Sequence, residues 1–459
     1  MKRLFLGGIH PEDKKELSIS NTADAEALPI LQPPVLILPM QQHIGVPCSP
    51  LVQVGETVKM GQKIGDGEGL CVPVHASVSG KVIAIEPRPH SSGKEVLSVV
   101  IENDFQNQEV KREEIPDPSN PEIMLQLIRE AGIVGMGGAA FPGNVKAFSA
   151  MGKIDTLIAN ACECEPYITA DDMLLRTALE QVLEGMRILG EIVKAKHLIF
   201  AVEDNKKEAI RKIKKIAAQY EDINCRILPT KYPQGAEKQL IRAVTGREIP
   251  PGKLPVSVNC AVFNVSTLAA VYKAVRENKA LTKRIVTVSG DAVAKPQNFL
   301  VPIGTPFADV IEAAGGLTEC EVRIISGGPM MGIAQSTMQV PVIKATNSIL
   351  CLKQENRNRN RNKNRNKNRS KNENRSKNRN RMERPVCIRC GKCVEVCPMR
   401  LKPLYLYRFE EQKDLDALER MHLSDCMECG CCAYTCPGAL PLVEHFRRGK
   451  CLLKEAMTK

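Results

Sequence analysis

Cys387-Ile-Arg-Cys390-Gly-Lys-Cys393-Val-Glu-Val-Cys397-Pro398 and Cys426-Met-Glu-Cys429-Gly-Cys-Cys432-Ala-Tyr-Thr-Cys436-Pro437 both read C-x2-C-x2-C-x3-C-P, near the end of a 459-residue chain. This run wraps [4Fe–4S] clusters. Thiolates are required because each iron completes its tetrahedron with a soft sulfur donor. Three cysteines two residues apart let one tight loop reach three corners of a cube. Where the run occurs twice, the fourth cysteine of each copy ligates the other cluster. The expected ligand sets are therefore Cys387, Cys390, Cys393 and Cys436 for one cluster, and Cys426, Cys429, Cys432 and Cys397 for the second. Cys431 lies inside the second loop, but only Cys432 keeps the spacing. Structural zinc is the competing use of C-x2-C pairs. It gives no reason for the third cysteine step, the trailing proline or the repetition. Chemistry with single electrons follows.

The rest of the composition narrows the partners of that chemistry. A chain of 459 residues exceeds one core, so two to four domains are expected. Aromatics make up 4% and Trp is absent, which disfavours base-stacking surfaces. The formal net charge is +12, yet Asn356 to Arg381 alone holds twelve Lys/Arg against Glu373, a balance of +11, which leaves +1 elsewhere. The basic excess thus belongs to one Asn-Arg/Lys segment with nothing apolar to bury, expected to be a disordered linker. No aromatic interleaves its charges as single-strand binders require, so no nucleic acid is expected. Of 18 cysteines, eight belong to the two motifs, and the others, Cys48 and Cys71 among them, are mostly scattered. With no secretory leader and no run of about 18 apolar residues, the chain reads as cytoplasmic with reduced thiols.

Upstream of the cysteines the pattern changes several times. Residues 1–30 are expected to be an irregular N-terminal arm. Residues 31–118 carry short β-branched runs cut by Pro, Gly and Ser turns, as in a small sandwich or barrel. Val54-Gly55, Gly61-Gln62 and Ser79-Gly80-Lys81-Val82 resemble a barrel-sandwich hybrid of the biotinyl/lipoyl type. Asp66 to Val74, where such a domain presents its modifiable Lys, contains none, so a structural or docking role is expected. Residues 119–280 alternate strand and helix patterns, an α/β core, with helices expected at Pro121–Ala131, Asp171–Leu189, Glu208–Ala218, Ala236–Val244 and Ser266–Val275. Residues 281–350 suggest a small β-grasp module, 351–384 the linker, and 385–459 a two-cluster ferredoxin domain. The fold class is multidomain α/β plus β.

Two loops of the α/β core can carry chemistry. Gly132-Ile-Val-Gly135-Met-Gly137-Gly138-Ala-Ala-Phe-Pro142 is glycine-rich and ends near Asn144 and Lys146. Glycines let backbone N–H groups approach a phosphate closely. It is neither a Rossmann nor a Walker loop. Asn160-Ala-Cys-Glu163-Cys-Glu165-Pro-Tyr167 follows the apolar run Thr156–Ala159, at the carboxyl end of a strand where α/β folds bind ligands. Its two acids can accept bonds from ribose or ribityl hydroxyls, or stay solvated. The roles of Cys162 and Cys164 stay open.

Gly135-x-Gly-Gly-Ala-Ala-Phe-Pro, Asn160-Ala-x-Glu-x-Glu-Pro, Gly235-Ala-Glu237 and Asn264-Val-x-Thr-Leu268 occur in this order and resemble the NADH- and FMN-binding core of the complex I flavoprotein subunit. With Phe5-x-Gly-Gly-Ile-His-Pro11 at one end and the double cysteine motif at the other, the chain is similar over residues 1–350 and 383–459 to the C-subunit family of Rnf electron-transport complexes. The resemblance implies non-covalent FMN, NAD(H) and two [4Fe–4S] clusters. It further implies that Gly135, Gly137, Gly138, Lys146, Asn160, Glu163, Glu165, Asn264 and Thr267 line the flavin and nicotinamide pocket, with Gly235 and Glu237 beside it. Residues 281–350 are similar to the soluble-ligand-binding β-grasp module of that family, expected here as a scaffold. The implied partners are membrane subunits and a ferredoxin-like subunit, and the implied place is the cytoplasmic face of the cell membrane. A nicotinamide gives up two electrons together and a cluster accepts one, so a flavin must stand between them. Two other readings share these motifs: a cobalamin reductase-type flavo-iron-sulfur protein, and an electron-transfer scaffold with no working flavin site. The Gly7-Gly8-Ile9-His10-Pro11 arm favours the Rnf C-subunit reading over both.

Overall fold

The computed structural model of the chain describes residues 5–22, 28–111, 117, 119–216, 219–354 and 385–457. The Asn356–Arg381 segment, expected as a disordered linker, lies outside the described residues.

The first domain is β. A four-stranded antiparallel sheet runs in the order Val35–Pro39, Glu95–Asn103, Gly80–Pro89, Thr57–Val58, beside a three-stranded sheet of Ser49–Pro50, Lys63–Asp66 and Val74–His75. The register pairs Leu36 with Ile101 and Leu38 with Val99, and all four side chains are buried. Leu36, Leu38, Val99 and Ile101, at alternate positions, therefore share one inward face of this sheet. The Asp66–Val74 tip that lacks a lysine is tied to the next domain instead. Asp66 receives Arg129 at 2.9 Å, from the helix Pro121–Glu130.

The α/β core holds four parallel strands in the order Ile223–Leu228, His197–Glu203, Thr156–Ala161, Cys260–Asn264. Helices Pro121–Glu130, Gly143–Ala150, Ala170–Thr177, Leu179–Val193, Lys207–Ile216, Glu237–Thr245 and Val265–Glu277 accompany it. Asn120 caps the first of these, its side chain accepting from Glu122 N at 2.9 Å, with Pro121 in the first turn. The single helix expected over Asp171–Leu189 is two, broken at Ala178, whose φ of −142° is not helical. Both pieces bury the same apolar stripe (Met173 and Leu175, then Val182, Leu183 and Met186), so the hydrophobic period runs through the break and conceals it.

Next comes a five-stranded β-grasp sheet in the order Gln297–Pro302, Lys283–Ser289, Ser348–Lys353, Val322–Ser326, Ile333–Gln335, with helix Phe307–Ala313 against it. Its central strand runs to Lys353, into the stretch read as linker from 351. The cysteine-rich domain is helical among the described residues. Two short helices inside the motifs, Lys392–Glu395 and Cys431–Tyr434, each follow a left-handed glycine, Gly391 (φ 78°) and Gly430 (φ 79°). Leu406, Leu418, Leu423, Leu442 and Phe446 form its core.

The N-terminal arm is partly regular. Helix Glu16–Asn21 lies in the polar stretch expected to be irregular. Long-range ties hold it: the Lys15 ammonium donates to the carbonyls of Glu163 (2.7 Å), Glu165 (2.9 Å) and Ile168 (2.6 Å), and Asn298 N donates to Thr22 Oγ1.

Candidate functional site

Parallel register places Asn160 opposite Asn264 at the carboxyl ends of neighbouring strands. Asn264 caps helix Val265–Glu277, accepting from Ser266 N at 2.9 Å, and its amide donates to Asp171 at 2.7 Å. The glycine loop lies on this cap, since a Cβ on Gly137 would meet Asn264 Cβ at 3.3 Å. The Met136 N–H donates to Thr267 Oγ1 at 2.9 Å, and Thr267 is buried, so Thr267 holds the loop to the helix. Asn160 reaches the other way. Its amide donates to Gly235 O at 2.8 Å and its oxygen accepts from Cys162 N. Only glycine fits at 235, because a Cβ there would stand 2.1 Å from Cys162 O. Lys146 pairs with Glu237 at 2.8 Å, its ammonium 5.3 Å from the centre of the Phe263 ring. The glycine loop, Asn160, Asn264, Gly235, Lys146 and Glu237 thus gather around one end of the sheet.

The two acids of the Asn160 loop diverge. Glu163 was expected in the pocket, but its carboxylate is buried and committed to Lys206 Nζ (2.9 Å) and Asp171 N (2.8 Å), at the start of helix Ala170–Thr177. Burial alone would raise its carboxyl, but Lys206 and Lys15 outweigh that and hold it below the usual range. It positions the loop. Glu165 instead accepts the N–H groups of Met330 (3.1 Å) and Met331 (2.9 Å), and burial pushes its carboxyl up to about 7.

Glu165, Gly137 and Gly138 open onto a cleft of ≈ 740 Å³ whose other walls are Gln41–Ile44 and His90–Ser92 of the β domain and Gly327, Gly328, Met331 and Gly332 of the grasp module. The module expected as a scaffold therefore also walls the cleft. Sequence reasoning passed over Lys15, Lys206, Asp171 and Tyr232. Their partners lie far along the chain, and no local spacing marks them.

In the cysteine-rich domain, Cys387, Cys390, Cys393 and Cys436 line one small cavity, together with Leu404, Leu440 and Leu442. Cys397, Cys426, Cys429 and Cys432 line another, together with Met399, Leu401 and Phe446. The fourth cysteine of each run crosses to the other cavity. Burial pushes Cys426 up to about 11 and raises Cys393, Cys397 and Cys432, each further raised by thiols of its own group. Four crowded sulfurs with apolar walls are a donor set for a soft-metal cluster, which compensates the thiolate charge. Cys431 is buried on the second cavity's wall and packs against Ile9 and Tyr232.

The second cavity is the one docked on the α/β core. The Tyr232 hydroxyl, three residues before Gly235, donates to Cys429 O at 2.7 Å. Gly8 N donates to Val396 O at 2.8 Å, Ile9 and Tyr232 exchange backbone bonds, and Gln239 donates to Pro398 O at 3.3 Å. A Cβ on Gly7, at φ +73°, would stand 2.6 Å from Cys397 O, so the arm passes directly over the motif. Beside the first cavity Cys390, Val386 and Ile388 are exposed.

Four family models match in chain order. They are the RnfC barrel sandwich hybrid domain over residues 3–106, the Nuo51 FMN-binding domain over 128–273, the SLBB domain over 285–334, and the 4Fe-4S dicluster domain over 379–437. The C-subunit of the Na(+)-translocating ferredoxin:NAD(+) oxidoreductase complex of Acetobacterium woodii is 41% identical over 92% of this chain and 90% of its own length. The chain belongs to the RnfC family. Another relative in the family, the C-subunit of the proton-translocating ferredoxin:NAD(+) oxidoreductase complex of Clostridium ljungdahlii, is 41% identical over 93% of this chain and 88% of its own. The C-subunit of the ion-translocating oxidoreductase complex of Salmonella arizonae is 38% identical over 97% of this chain and 63% of its own. This RnfC chain carries the modules for FMN and for two [4Fe–4S] clusters. Among its described residues no helix is long and apolar enough to cross a membrane.

Proposed function

We propose that this chain is the subunit of an ion-translocating ferredoxin:NAD(+) oxidoreductase complex that exchanges electrons with NAD(H). FMN, when bound, supplies the conversion between two-electron exchange with nicotinamide and one-electron exchange with clusters. Gly135, Gly137, Gly138, Lys146, Asn160, Gly235, Glu237 and Asn264 would hold it, with the Gly137 and Gly138 N–H groups available to its phosphate and Gly135 N closing the loop on Phe141 O at 2.8 Å. Thr267 and Glu163 keep the two loops in place. The ≈ 740 Å³ cleft beside Gly137 and Glu165 gives NADH an approach.

Cys397, Cys426, Cys429 and Cys432 would ligate the cluster near the flavin, and Cys387, Cys390, Cys393 and Cys436 the far one. The observation that carries this order is the Tyr232 hydroxyl on Cys429 O, which joins the Lys231–Gly235 segment of the flavin site directly to the second cysteine loop. Exposed Val386 and Ile388 beside the far cluster suit contact with a ferredoxin-like subunit. The chain itself would sit peripherally on the cytoplasmic face, held by membrane subunits that perform the translocation. Anaerobic reconstitution tests the reading. It expects stoichiometric FMN, iron and sulfide for two clusters, and NADH:acceptor activity. Protein that takes up its iron but binds no flavin and oxidises no NADH refutes it.

A further inference from the structure

A third group of sulfur ligands lies far from the cysteine-rich tail. His43, Cys48 and Cys71 are all buried in the β domain, and one ligand atom from each lies within 4.8 Å of the other two. Cys48 Sγ stands 3.4 Å from Cys71 Sγ and 3.9 Å from His43 Nε2, and Cys71 Sγ stands 3.6 Å from the same nitrogen. A tetrahedral Zn2+, with Zn–S of about 2.3 Å and Zn–N of about 2.0–2.1 Å, spaces two sulfurs about 3.8 Å apart and a sulfur and a nitrogen about 3.6 Å apart. The observed sulfur–sulfur separation of 3.4 Å is about 0.4 Å short of its edge, and the two sulfur–nitrogen separations of 3.6 and 3.9 Å lie within about 0.3 Å of theirs. Second-sphere geometry agrees with them. His43 Nδ1 lies 3.3 Å from the Ile44 carbonyl, the partner that fixes the tautomer with Nε2 free as ligand. At Nε2 the competing donor is the Val72 N–H, at a long 3.3 Å.

We propose that His43, Cys48 and Cys71 form a zinc site separate from the electron-transfer cofactors. Two thiolates and an imidazole are a donor set suited to this ion. Zn2+ would displace the two thiol protons to solvent and leave a neutral centre, with no redox step. The Val72 carbonyl, 3.4 Å from Cys48 Sγ and 4.0 Å from Cys71 Sγ, offers an oxygen donor beside them. The ligands come from three points of the fold: the loop after strand Val35–Pro39, the residue before strand Ser49–Pro50, and the turn before strand Val74–His75. The ion would staple the 41–48 loop to the three-stranded sheet. That loop walls the cleft and donates from Ile44 N to Ala140 O of the glycine loop at 3.0 Å, so the staple would fix the distance between two cleft walls.

The test uses the full chain with its iron–sulfur clusters in place, exposed to Zn2+ and then freed of unbound metal. The expected result is one zinc ion per chain. Its X-ray absorption at the zinc edge, blind to iron, should show two sulfurs at about 2.3 Å and nitrogen or oxygen at about 2.0–2.1 Å. Zinc should fall to background in Cys48→Ala and in Cys71→Ala while iron stays at the wild-type level. The wild-type spectrum decides the matter even if a variant folds poorly. A first shell of four sulfurs would place the zinc in the cluster cysteines and overturn the proposal. So would zinc-free protein with Cys48 and Cys71 as thiols, or with the pair joined as a disulfide.

Discussion

The hydroxyl of Tyr232 donates a 2.7 Å hydrogen bond to the carbonyl oxygen of Cys429, and Tyr232 is 1% exposed. One side chain thereby ties the edge of the proposed flavin site to the loop that carries Cys426, Cys429 and Cys432. Tyr232→Phe keeps the ring and removes the bond, leaving a buried carbonyl unpaired at a cost of about 1–3 kcal/mol. FMN content should be unchanged. Docking of the cysteine domain should loosen, read as faster limited proteolysis between the two domains and slower cluster reduction by NADH.

Thr267 is buried, and it accepts the Met136 N–H at 2.9 Å and so sets the glycine loop. Thr267→Val fills the same space and orphans that donor, again at about 1–3 kcal/mol. If the loop holds the flavin, FMN should dissociate roughly tenfold more readily, since about 1.4 kcal/mol is tenfold in affinity. Flavin fluorescence on dilution measures this, and unchanged affinity would remove the glycine loop from the site.

Much of the candidate site is marked in the sequence, and the reason is local. The cysteine runs repeat at fixed spacing, and Asn160 follows the apolar run Thr156–Ala159, where parallel strands present ligand-facing residues. Asn264, at the end of strand Cys260–Asn264, stands out by the family resemblance alone. Glu163 and Glu165 could not be told apart. Which acid turns inward depends on Lys206, Lys15 and the Met330–Met331 amides, which arrive from 43 to 166 residues away. Helix Glu16–Asn21 escaped notice because six residues make no period, and its support is tertiary. Cys48 and Cys71 read as scattered, and His43 carries no mark, because a sheet, not a motif, brings the three together.

Glu165 gives a pH signature. Its carboxyl is raised by burial from 4.5 to about 7 in the folded chain. Between those values the folded state binds more protons than the unfolded one, so stability falls as pH rises through the window. The contribution is full below about pH 4.5 and gone above about 7. Glu203 and Asp171 are raised by burial over the same window, so the signature of Glu165 is a difference: Glu165→Gln should lose less thermal stability than the wild type between pH 5 and pH 7.5. An equal slope in the variant would assign the effect elsewhere.

The central claim is an order: nicotinamide and flavin at the sheet end, then the cluster of Cys397, Cys426, Cys429 and Cys432, then the cluster of Cys387, Cys390, Cys393 and Cys436. Cys436→Ser should cost the far cluster and Cys397→Ser the near one, each with the flavin retained. Low-temperature EPR of both variants, frozen milliseconds after mixing with NADH, is the direct measurement. The account predicts rapid reduction of the surviving cluster in Cys436→Ser and little or none in Cys397→Ser. Rapid cluster reduction in Cys397→Ser with none in Cys436→Ser would contradict it.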